Sequence, residues 1–238
     1  MDRARVSQHA EFTPVAARQV PVHLAGEEVL LRGDRTVYWP GRNWLILADL
    51  HVGKTESLRR DGIALPEGVL ADDLARLSRA VHETGAERVL VVGDLVHDAH
   101  GLTPAVVSQV AAWRDEVAAD VALVPGNHDR RVAALPAAWR VHVLDHRVHE
   151  GAFILVHDGA GAGRSRGGHR FTWHGHVHPV ISLRGATDAL RLPCFVLGPS
   201  HGILPAFSTL TGGAPVAPSS RDRLWVVADG QLLELPPR

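Results

Sequence analysis

The 238-residue sequence is poor in the residues that form cross-links and membrane spans. Cys194 is its only cysteine, which excludes an internal disulfide framework and a thiolate zinc site and fits a reducing compartment. No apolar run approaches the roughly 20 residues that span a bilayer. The start, MDRARVSQHAEF, has no hydrophobic signal region. We therefore expect a cytoplasmic protein with no membrane partner.

The chain also lacks an excess of either charge. Its formal net charge is −1, so composition gives no support for a dedicated nucleic-acid binder, which usually carries a basic excess. A local basic patch remains compatible with that total. Hydrophobic side chains make up 45% of the residues, enough to bury a full core. We predict a single domain over residues 1–238, with an N-terminal arm at 1–28.

Lysine is almost absent. Lys54 is the only lysine among 25 basic residues, and the others are arginines. It lies in Asp49-Leu50-His51-Val52-Gly53-Lys54, beside a motif of acidic and histidine residues. One interpretation is chance. The other is that a compact, strongly hydrated ammonium is needed there and a planar guanidinium cannot replace it, which makes Lys54 a candidate substrate-binding residue.

Short hydrophobic runs alternate with helical patterns along the chain. Runs with the character of strands lie at 44–48, 88–92, 121–124, 152–156 and 170–173. Residues 66–84 and 103–117 have helical periodicity, with Thr103 as an N-cap, Pro104 in a first turn and Gly85 as a C-cap. The stretch between the first strand and the first helix is predicted to be a loop. The alternation predicts an α/β fold with a strand-rich final third.

Motifs rich in aspartate and histidine follow these hydrophobic runs. They are Asp49-Leu50-His51, Gly93-Asp94, Gly126-Asn127-His128, His157 and His174-Gly175-His176-Val177-His178. Side chains at the carboxyl ends of neighbouring strands in an open α/β sheet converge on one crevice, so distant motifs can meet at one edge. Each motif also has a simpler explanation, as a turn, a helix cap or a satisfied buried histidine. The solitary His157 is the weakest candidate.

The side chains of these motifs indicate two metal ions. Two carboxylates, four imidazoles and one carboxamide suit manganese, iron or zinc, and seven ligands are too many for one ion. If Asp94 bridges, the other six form two groups: Asp49, His51 and His178, and Asn127, His157 and His176. The ions would then lie roughly 3.5–4 Å apart. Two divalent cations with two aspartates and a bridging hydroxide leave a small positive charge, which favours an anionic phosphate ester.

The pattern D-x-H, G-D, G-N-H, H and G-H-x-H resembles that of the calcineurin-like metallophosphoesterases, with all seven ligand positions filled in order. More narrowly, D-L-H-V-G-K, V-V-G-D-L-V-H, P-G-N-H-D-R, H-G-H-V-H-P and L-P-C-F-V-L-G look like the ligase-associated DNA damage response endonuclease family, over about residues 27–235. The resemblance implies a sandwich of two mixed β-sheets flanked by α-helices, with a metal site at the carboxyl ends of strands. It also implies a manganese-dependent phosphodiesterase or endonuclease acting on DNA in bacterial repair, with a DNA ligase or helicase system as partner.

By the same resemblance, His128 is a catalytic residue and not primarily a ligand. It would stabilise the transition state or protonate the leaving oxygen, a contribution of roughly 10²–10⁴-fold. Many superfamily members orient this histidine with an aspartate three residues after the bridging one. That position is His97 here, followed by Asp98, so the sequence leaves the orientation of His128 open.

Two basic features adjoin these motifs. Arg130 and Arg131 follow the Asn-His motif, where they could contact phosphate or carry solvated charges at a helix start, and Arg130 is our candidate for substrate binding. A glycine-rich stretch at 159–168, which contains Arg164 and Arg166, is predicted to be a loop near the site.

Three functions are compatible with these observations. The first is a metal-dependent phosphodiesterase or endonuclease acting on DNA. Only the family resemblance supports DNA as its substrate. The second is a phosphatase or small-molecule phosphoesterase, which would use the same metals. The third is a metallophosphoesterase fold retained as an interaction module with an incapacitated site, and the complete set of ligands argues against it.

Overall fold

The computed structural model describes residues 16–160, 170–184 and 189–236. Its first sheet contains seven strands in sequential order: β1 (Gln19–Leu24), β2 (Glu27–Arg32), β3 (Val37–Trp39), β4 (Trp44–Leu47), β5 (Arg88–Val92), β6 (Asp120–Val124) and β7 (Val141–Val143). The pairs from β1 to β4 are antiparallel and those from β4 to β7 are parallel. The sheet is therefore mixed, and its parallel half carries the first three motifs.

The second sheet contains nine strands: β8 (Arg147–Glu150), β9 (Phe153–Val156), β10 (Phe171–His174), β11 (Pro179–Arg184), β12 (Ala189–Leu197), β13 (His201–Ile203), β14 (Ala214–Pro215), β15 (Arg223–Ala228) and β16 (Gln231–Leu235). Its main order is β14-β11-β12-β13-β10-β9-β8, and the β15–β16 hairpin pairs with β12. Strands β9, β10 and β13 run parallel to one another. The predicted pair of mixed sheets is confirmed.

Three α-helices lie in the described part of the chain: α1 (Lys54–Arg60), α2 (Val69–Thr84) and α3 (Pro104–Glu116). The predicted cap of α3 is present, because Thr103 Oγ1 accepts a hydrogen bond from the amide of Val106 at 3.3 Å. Gly85 ends α2 in the left-handed conformation, as predicted. Helix α2 begins at Val69 and not at residue 66, since Gly68 before it has a φ of 80° that no helix accommodates.

Helix α1 occupies a stretch that the sequence pattern assigned to a loop, so that prediction is wrong. The helix has only seven residues, and its sequence KTESLRR contains a single strongly apolar residue. It therefore shows no hydrophobic periodicity. It places Lys54 at its first position, directly after the Asp49–His51 motif.

Hydrophobic side chains fill both faces of the first sheet. Leu45, Leu47, Val89 and Val91 pack against α2 and α3. The residues between them face the second sheet in a core built around Trp39, Phe153, Trp173 and Phe195. Strands buried on both faces are near-continuous apolar runs, which is why β4, β5 and β6 were recognisable in the sequence. This sandwich holds the ends of the parallel strands in place.

The predicted N-terminal arm at 1–28 is corrected by the structure from residue 19 onward. Residues 1–15 lie outside the described residues, but β1 and β2 form an antiparallel hairpin in which Val22 and Val29 are buried. The turn residues Ala25 and Gly26 both have positive φ, 51° and 86°, as in the tight turns that match strand twist. The sequence Ala-Gly is a weaker hairpin signal than Asn-Gly, so the pattern was missed.

The predicted loop near the site cannot be compared with the structure over most of its length. Most of the glycine-rich stretch at 159–168, including Arg164 and Arg166, lies outside the described residues.

No helix among residues 16–160, 170–184 and 189–236 has the length and apolar character to cross a membrane.

Candidate metal centre

The strand-end motifs converge on one edge of the sandwich. Asp49 and His51 follow β4, Asp94 follows β5 and Asn127 follows β6, while His157 follows β9 and the His176 and His178 pair follows β10. The two sheets meet near this edge, where the amides of Phe207 and Ser208 donate to the carbonyls of Ala48 and Asp49 at 2.8 and 3.3 Å. All seven predicted ligands therefore lie in one crevice.

The first group of side chains consists of Asp49, His51 and His178. One donor atom from each lies within 4.8 Å of the others. The Nε2 atoms of His51 and His178 are 3.4 Å apart, and His178 Nε2 is 3.4 Å from Asp49 Oδ1. These separations are short enough for one cation to contact all three.

The second group consists of Asp94, His157 and His176, with donor atoms again within 4.8 Å of one another. His157 Nε2 lies 3.2 Å from His176 Nδ1 and 3.0 Å from Asn127 Oδ1. Asn127 therefore joins this group, as the sequence predicted.

Asp94 lies between the two groups. Its Oδ2 is 3.4 Å from His157 Nε2 and 4.0 Å from His51 Nε2, so one oxygen faces both sets of donors. Its Oδ1 is engaged elsewhere, since it accepts a hydrogen bond from the backbone amide of His128 at 3.0 Å. This geometry is compatible with the predicted bridging role, and the ligand assignments themselves stay predictions.

The hydrogen bonding of Asp49 tests whether the residues fit a metal. Its side chain is fully buried, and Oδ2 accepts a hydrogen bond from the amide of His176 at 3.0 Å. Its Oδ1 has no hydrogen-bond partner in the described part of the chain. A buried carboxylate oxygen without a donor is costly, whereas a cation beside the neighbouring imidazoles would satisfy it. The carboxylate and imidazole donors at this site thus fit a divalent metal ion.

The protonation states of the site suit the same purpose. Burial lowers the pKa of His51 to about 2, with the nearby charge of Asp94 acting in the opposite direction. Burial would raise the pKa of Asp94, but its hydrogen bond and Coulombic attraction to His157 prevail and lower it to about 2. Neutral imidazole and ionised carboxylate are the forms that bind metals.

Five of the seven predicted ligands have a left-handed backbone. Their φ angles are positive at Asp49 (59°), His51 (50°), Asp94 (47°), His176 (67°) and His178 (48°). Residues other than glycine rarely adopt this conformation, which costs about 1–3 kcal/mol each and persists only where the surroundings enforce it. A sharp turn directly after each strand points successive side chains at one spot. Repeated strain of this kind is typical of functional sites.

Two motif glycines allow the ligands to approach one another. A Cβ added to Gly93 would overlap the imidazole of His157, and Gly93 itself has a φ of 84°. A Cβ on Gly126 would overlap the carboxylate of Asp94. The glycines of the Gly-Asp and Gly-Asn-His motifs are therefore needed for space beside the ligands.

The orientation of His128, which the sequence left open, is provided by the main chain. His128 Nδ1 donates to the carbonyl oxygen of His97 at 2.6 Å. The two imidazoles stack with centroids 5.0 Å apart and planes 20° from parallel. Asp98 does not take part, because its carboxylate accepts hydrogen bonds from Ser57 and from the Gly101 amide. Donation through Nδ1 leaves Nε2 of His128 available for a substrate.

The two candidate substrate-binding residues differ in their surroundings. Lys54 is half-buried, and burial lowers the pKa of its ammonium group. The electrostatic attraction of this group to the carboxylates of Asp49 and Asp94 acts in the opposite direction. Arg130 is exposed, and its Nε donates to the carbonyl of Gly126 at 3.2 Å. The structure thus brings Lys54 close to the predicted ligands and ties Arg130 to the loop that carries Asn127.

Asp129 is a supporting residue that the sequence reasoning missed. It is buried, and its two carboxylate oxygens accept hydrogen bonds from the amides of Val96 and Gly126, both at 2.9 Å. It thereby fastens the loop after β6 to the loop after β5. A charged residue directly after the Asn-His motif was the available signal.

Comparison with known proteins places these features in a family. Residues 43–192 match the family model described as calcineurin-like phosphoesterase. The crystal structure of the nuclease MPE from Pseudomonas putida is 34% identical, with 91% of this chain and 100% of that chain covered and a TM-score of 0.78. None of the curated proteins matches this sequence.

Two further solved structures have much lower similarity. The Escherichia coli phosphoesterase Yfce is 15% identical over 78% of this chain and 88% of its own, with a TM-score of 0.39. An archaeal phosphodiesterase is 12% identical over 80% and 96%, with a TM-score of 0.37. Scores this low support no inference about the chain.

Replacing Gly93 with alanine should damage the site directly. Because the new methyl group would displace His157, we expect the affinity for Mn²⁺ to fall by roughly 10- to 100-fold, as for other groups that orient metal ligands. Gly68→Ala is the matched control, since Gly68 has a similar φ of 80° and open space around it. Titration calorimetry measures both. Equal affinities in the two variants would show that the close approach of Gly93 is unimportant.

Proposed function

Because the chain belongs to the calcineurin-like phosphoesterase family and is a metal-dependent phosphoesterase, we propose that it hydrolyses phosphodiester bonds in nucleic acid, with DNA as substrate. The observation that carries the proposal is the position of Asp94 Oδ2 between two donor groups. The 34% identity to the Pseudomonas putida nuclease favours a nucleic-acid substrate. The motif resemblance supports a role in DNA repair, with a DNA ligase or helicase system as partner.

In this proposal seven residues hold two divalent cations, manganese before iron or zinc. Asp49, His51 and His178 serve one cation, Asn127, His157 and His176 serve the other, and Asp94 serves both. When bound, such ions activate water for attack and neutralise charge on the phosphate. The buried carboxylates of Asp49 and Asp94 give this set of ligands its negative charge.

His128 acts on the substrate. Its Nδ1 is fixed by the carbonyl of His97, so its Nε2 can donate a proton to the leaving oxygen or a hydrogen bond to the phosphate. Lys54 contributes a positive charge beside the reacting phosphate, and Arg130 extends the same favourable potential at the rim. In this proposal Lys54 and Arg130 bind the substrate and His128 protonates it.

An activity panel in Mn²⁺ separates a nuclease from a phosphatase. We expect hydrolysis of a phosphodiester and cleavage of single-stranded or duplex oligonucleotides, with slower turnover of a phosphomonoester. Rates on the four substrates are compared at equal enzyme concentration. Strong preference for the monoester with intact oligonucleotides would overturn the nuclease proposal and favour the phosphatase.

Asp94→Ala should abolish the site for both ions. Because one carboxylate oxygen faces both donor groups, we expect the variant to lose both metals and nearly all turnover. Metal content is measured by plasma mass spectrometry on purified protein. Asp145→Ala, which removes an exposed aspartate, is the control. Retention of one ion by the Asp94 variant would contradict the bridging assignment.

Substitutions at His128 and His97 should have unequal effects. His128→Ala removes the proton donor, so we expect normal metal content with activity lower by roughly 10²–10⁴-fold. His97→Ala keeps the main-chain carbonyl that orients His128, and we expect a loss of less than about tenfold, below the range for the catalytic group itself. The turnover of both variants is compared by steady-state kinetics on a phosphodiester substrate. A His97→Ala defect as large as that of His128→Ala would mean that the His97 ring, and not its carbonyl, is needed.

A further inference from the structure

Two adjoining depressions extend from the metal centre on the side of His178. The nearer one has a volume of about 240 Å³ and is lined by His178, Thr211, Arg35 and Arg191. The farther one has a volume of about 520 Å³ and shares Arg35, Arg191 and Pro193 with the first. The residues common to both show that the two depressions adjoin, and the nearer one reaches a predicted metal ligand, His178.

The farther depression is strongly basic although the chain is not. Six arginines and three acidic residues line it, against a formal charge of −1 for the whole chain. Two of the three acids, Asp34 and Glu83, are paired with Arg32 at 2.7 and 2.6 Å. Arg76 is paired with Asp73 at 3.0 Å, so Arg18, Arg35, Arg79 and Arg191 face one remaining acidic residue of the lining, Asp229.

Five arginines define what we call the arginine groove: Arg18, Arg35, Arg76, Arg79 and Arg191. Arg18, Arg79 and Arg191 are exposed and have no ion pair among the described residues. Arg35 donates to the carbonyls of three successive residues, 206 to 208, and Arg76 is paired with Asp73. The guanidinium groups of Arg18 and Arg79 are thus free to bind. Arg191 is exposed but also donates to a backbone carbonyl, and Arg35 and Arg76 build the wall.

The groove is coupled to the metal centre through a short glycine segment. His178 Nδ1 lies 3.2 Å from the carbonyl oxygen of Gly212, and Arg191 donates to the carbonyl of the next residue, Gly213. Thr211 also lines the nearer depression, and its buried hydroxyl has no hydrogen-bond partner in the described ranges. A ligand that enters the groove would find Arg191 beside the glycine segment that contacts His178.

We propose that the arginine groove binds the backbone phosphates of a nucleic-acid strand on one side of the phosphate that is cleaved. Guanidinium groups pair with phosphate oxygens through two parallel hydrogen bonds, and a row of them suits a repeating anion better than a single small one. No tryptophan, tyrosine or phenylalanine lines either depression in the described residues, so bases have no stacking platform. Binding should therefore be sensitive to salt and insensitive to base sequence.

The inference rests on the proposed nuclease function, and a double variant tests it. Arg79→Ala/Arg191→Ala removes two exposed guanidinium groups without disturbing the ones that build the wall. The matched control is Arg42→Ala/Arg88→Ala, which loses the same charge at the beginnings of β4 and β5, the end of the sheet opposite the metal centre. Arg79→Lys/Arg191→Lys keeps the charge and should recover part of the affinity.

Two measurements are made on the full chain with a fluorescent single-stranded oligonucleotide. Binding is followed by anisotropy with the metals chelated, and cleavage is followed in Mn²⁺ beside hydrolysis of bis(p-nitrophenyl) phosphate. We expect the Arg79/Arg191 variant to bind the oligonucleotide at least about tenfold more weakly than the control variant, as loss of two charge-assisted contacts implies. The slope of log affinity against log salt should decrease by about 1.4, since each phosphate contact on a single strand contributes about 0.7. Oligonucleotide cleavage should fall at least about tenfold further than hydrolysis of the small diester.

The outcomes separate this inference from the nuclease proposal. If the wild-type chain binds oligonucleotide through these arginines but does not cleave it, the groove is supported and the nuclease proposal fails. If the wild-type chain cleaves oligonucleotide and the Arg79/Arg191 variant matches the control, the groove proposal is overturned alone. Equal competition by polyglutamate of the same charge would also overturn it, because it would point to an acidic protein partner.

Discussion

Two buried carboxylates must share one confined space with four imidazoles, and the surrounding structure is arranged to allow this. Asp49 is fully buried and Asp94 is 2% exposed, yet neither forms an ion pair with lysine or arginine in the described chain. Burying an uncompensated charge costs several kcal/mol. The imidazoles and backbone amides offset part of that cost, and divalent cations would offset the rest. Metal binding and the conformation of this edge are therefore coupled.

The same constraint explains the backbone around the site. Positive φ angles at five predicted ligands cost about 1–3 kcal/mol each, an expense that only a rigid support can sustain. That support is the sandwich, in which β4, β5 and β6 are buried on both faces between α2 and α3 on one side and the second sheet on the other. Asp129 adds a direct link between two of the strained loops. The packing of the sandwich thus holds the predicted ligands in their strained backbone conformation.

Sequence reasoning identified the features that side-chain patterns encode. Strands β4, β5 and β6 were visible because burial on both faces makes them apolar runs, and the convergence of their motifs followed from parallel strand ends. It missed α1, which is short and polar, and β1, whose turn has an unusual sequence. It could not predict how His128 is oriented, since the partner is the carbonyl of His97 and every residue type has a carbonyl. It did not foresee left-handed backbone at Asp49 or His178, because such angles are uncommon outside glycine.

The arginine groove shows that the total charge of the chain does not describe the local charge of its surface. A chain with a net charge of −1 can still concentrate unpaired guanidinium groups along one path beside its reactive centre. Arg18 and Arg191 are 173 positions apart in the sequence, and the pairing of β12 with β15 and the packing of the two sheets bring them to one groove. Such a juxtaposition is a property of the fold and is not readable from composition.

We propose that two cations lie among these side chains with Asp94 between them. Diffraction from crystals grown with Mn²⁺, measured at the manganese absorption edge, tests this arrangement directly. We expect two anomalous peaks, one among Asp49, His51 and His178 and one among Asn127, His157 and His176, with Asp94 Oδ2 within bonding distance of both. A single peak, or a pair of peaks away from Asp94, would contradict it.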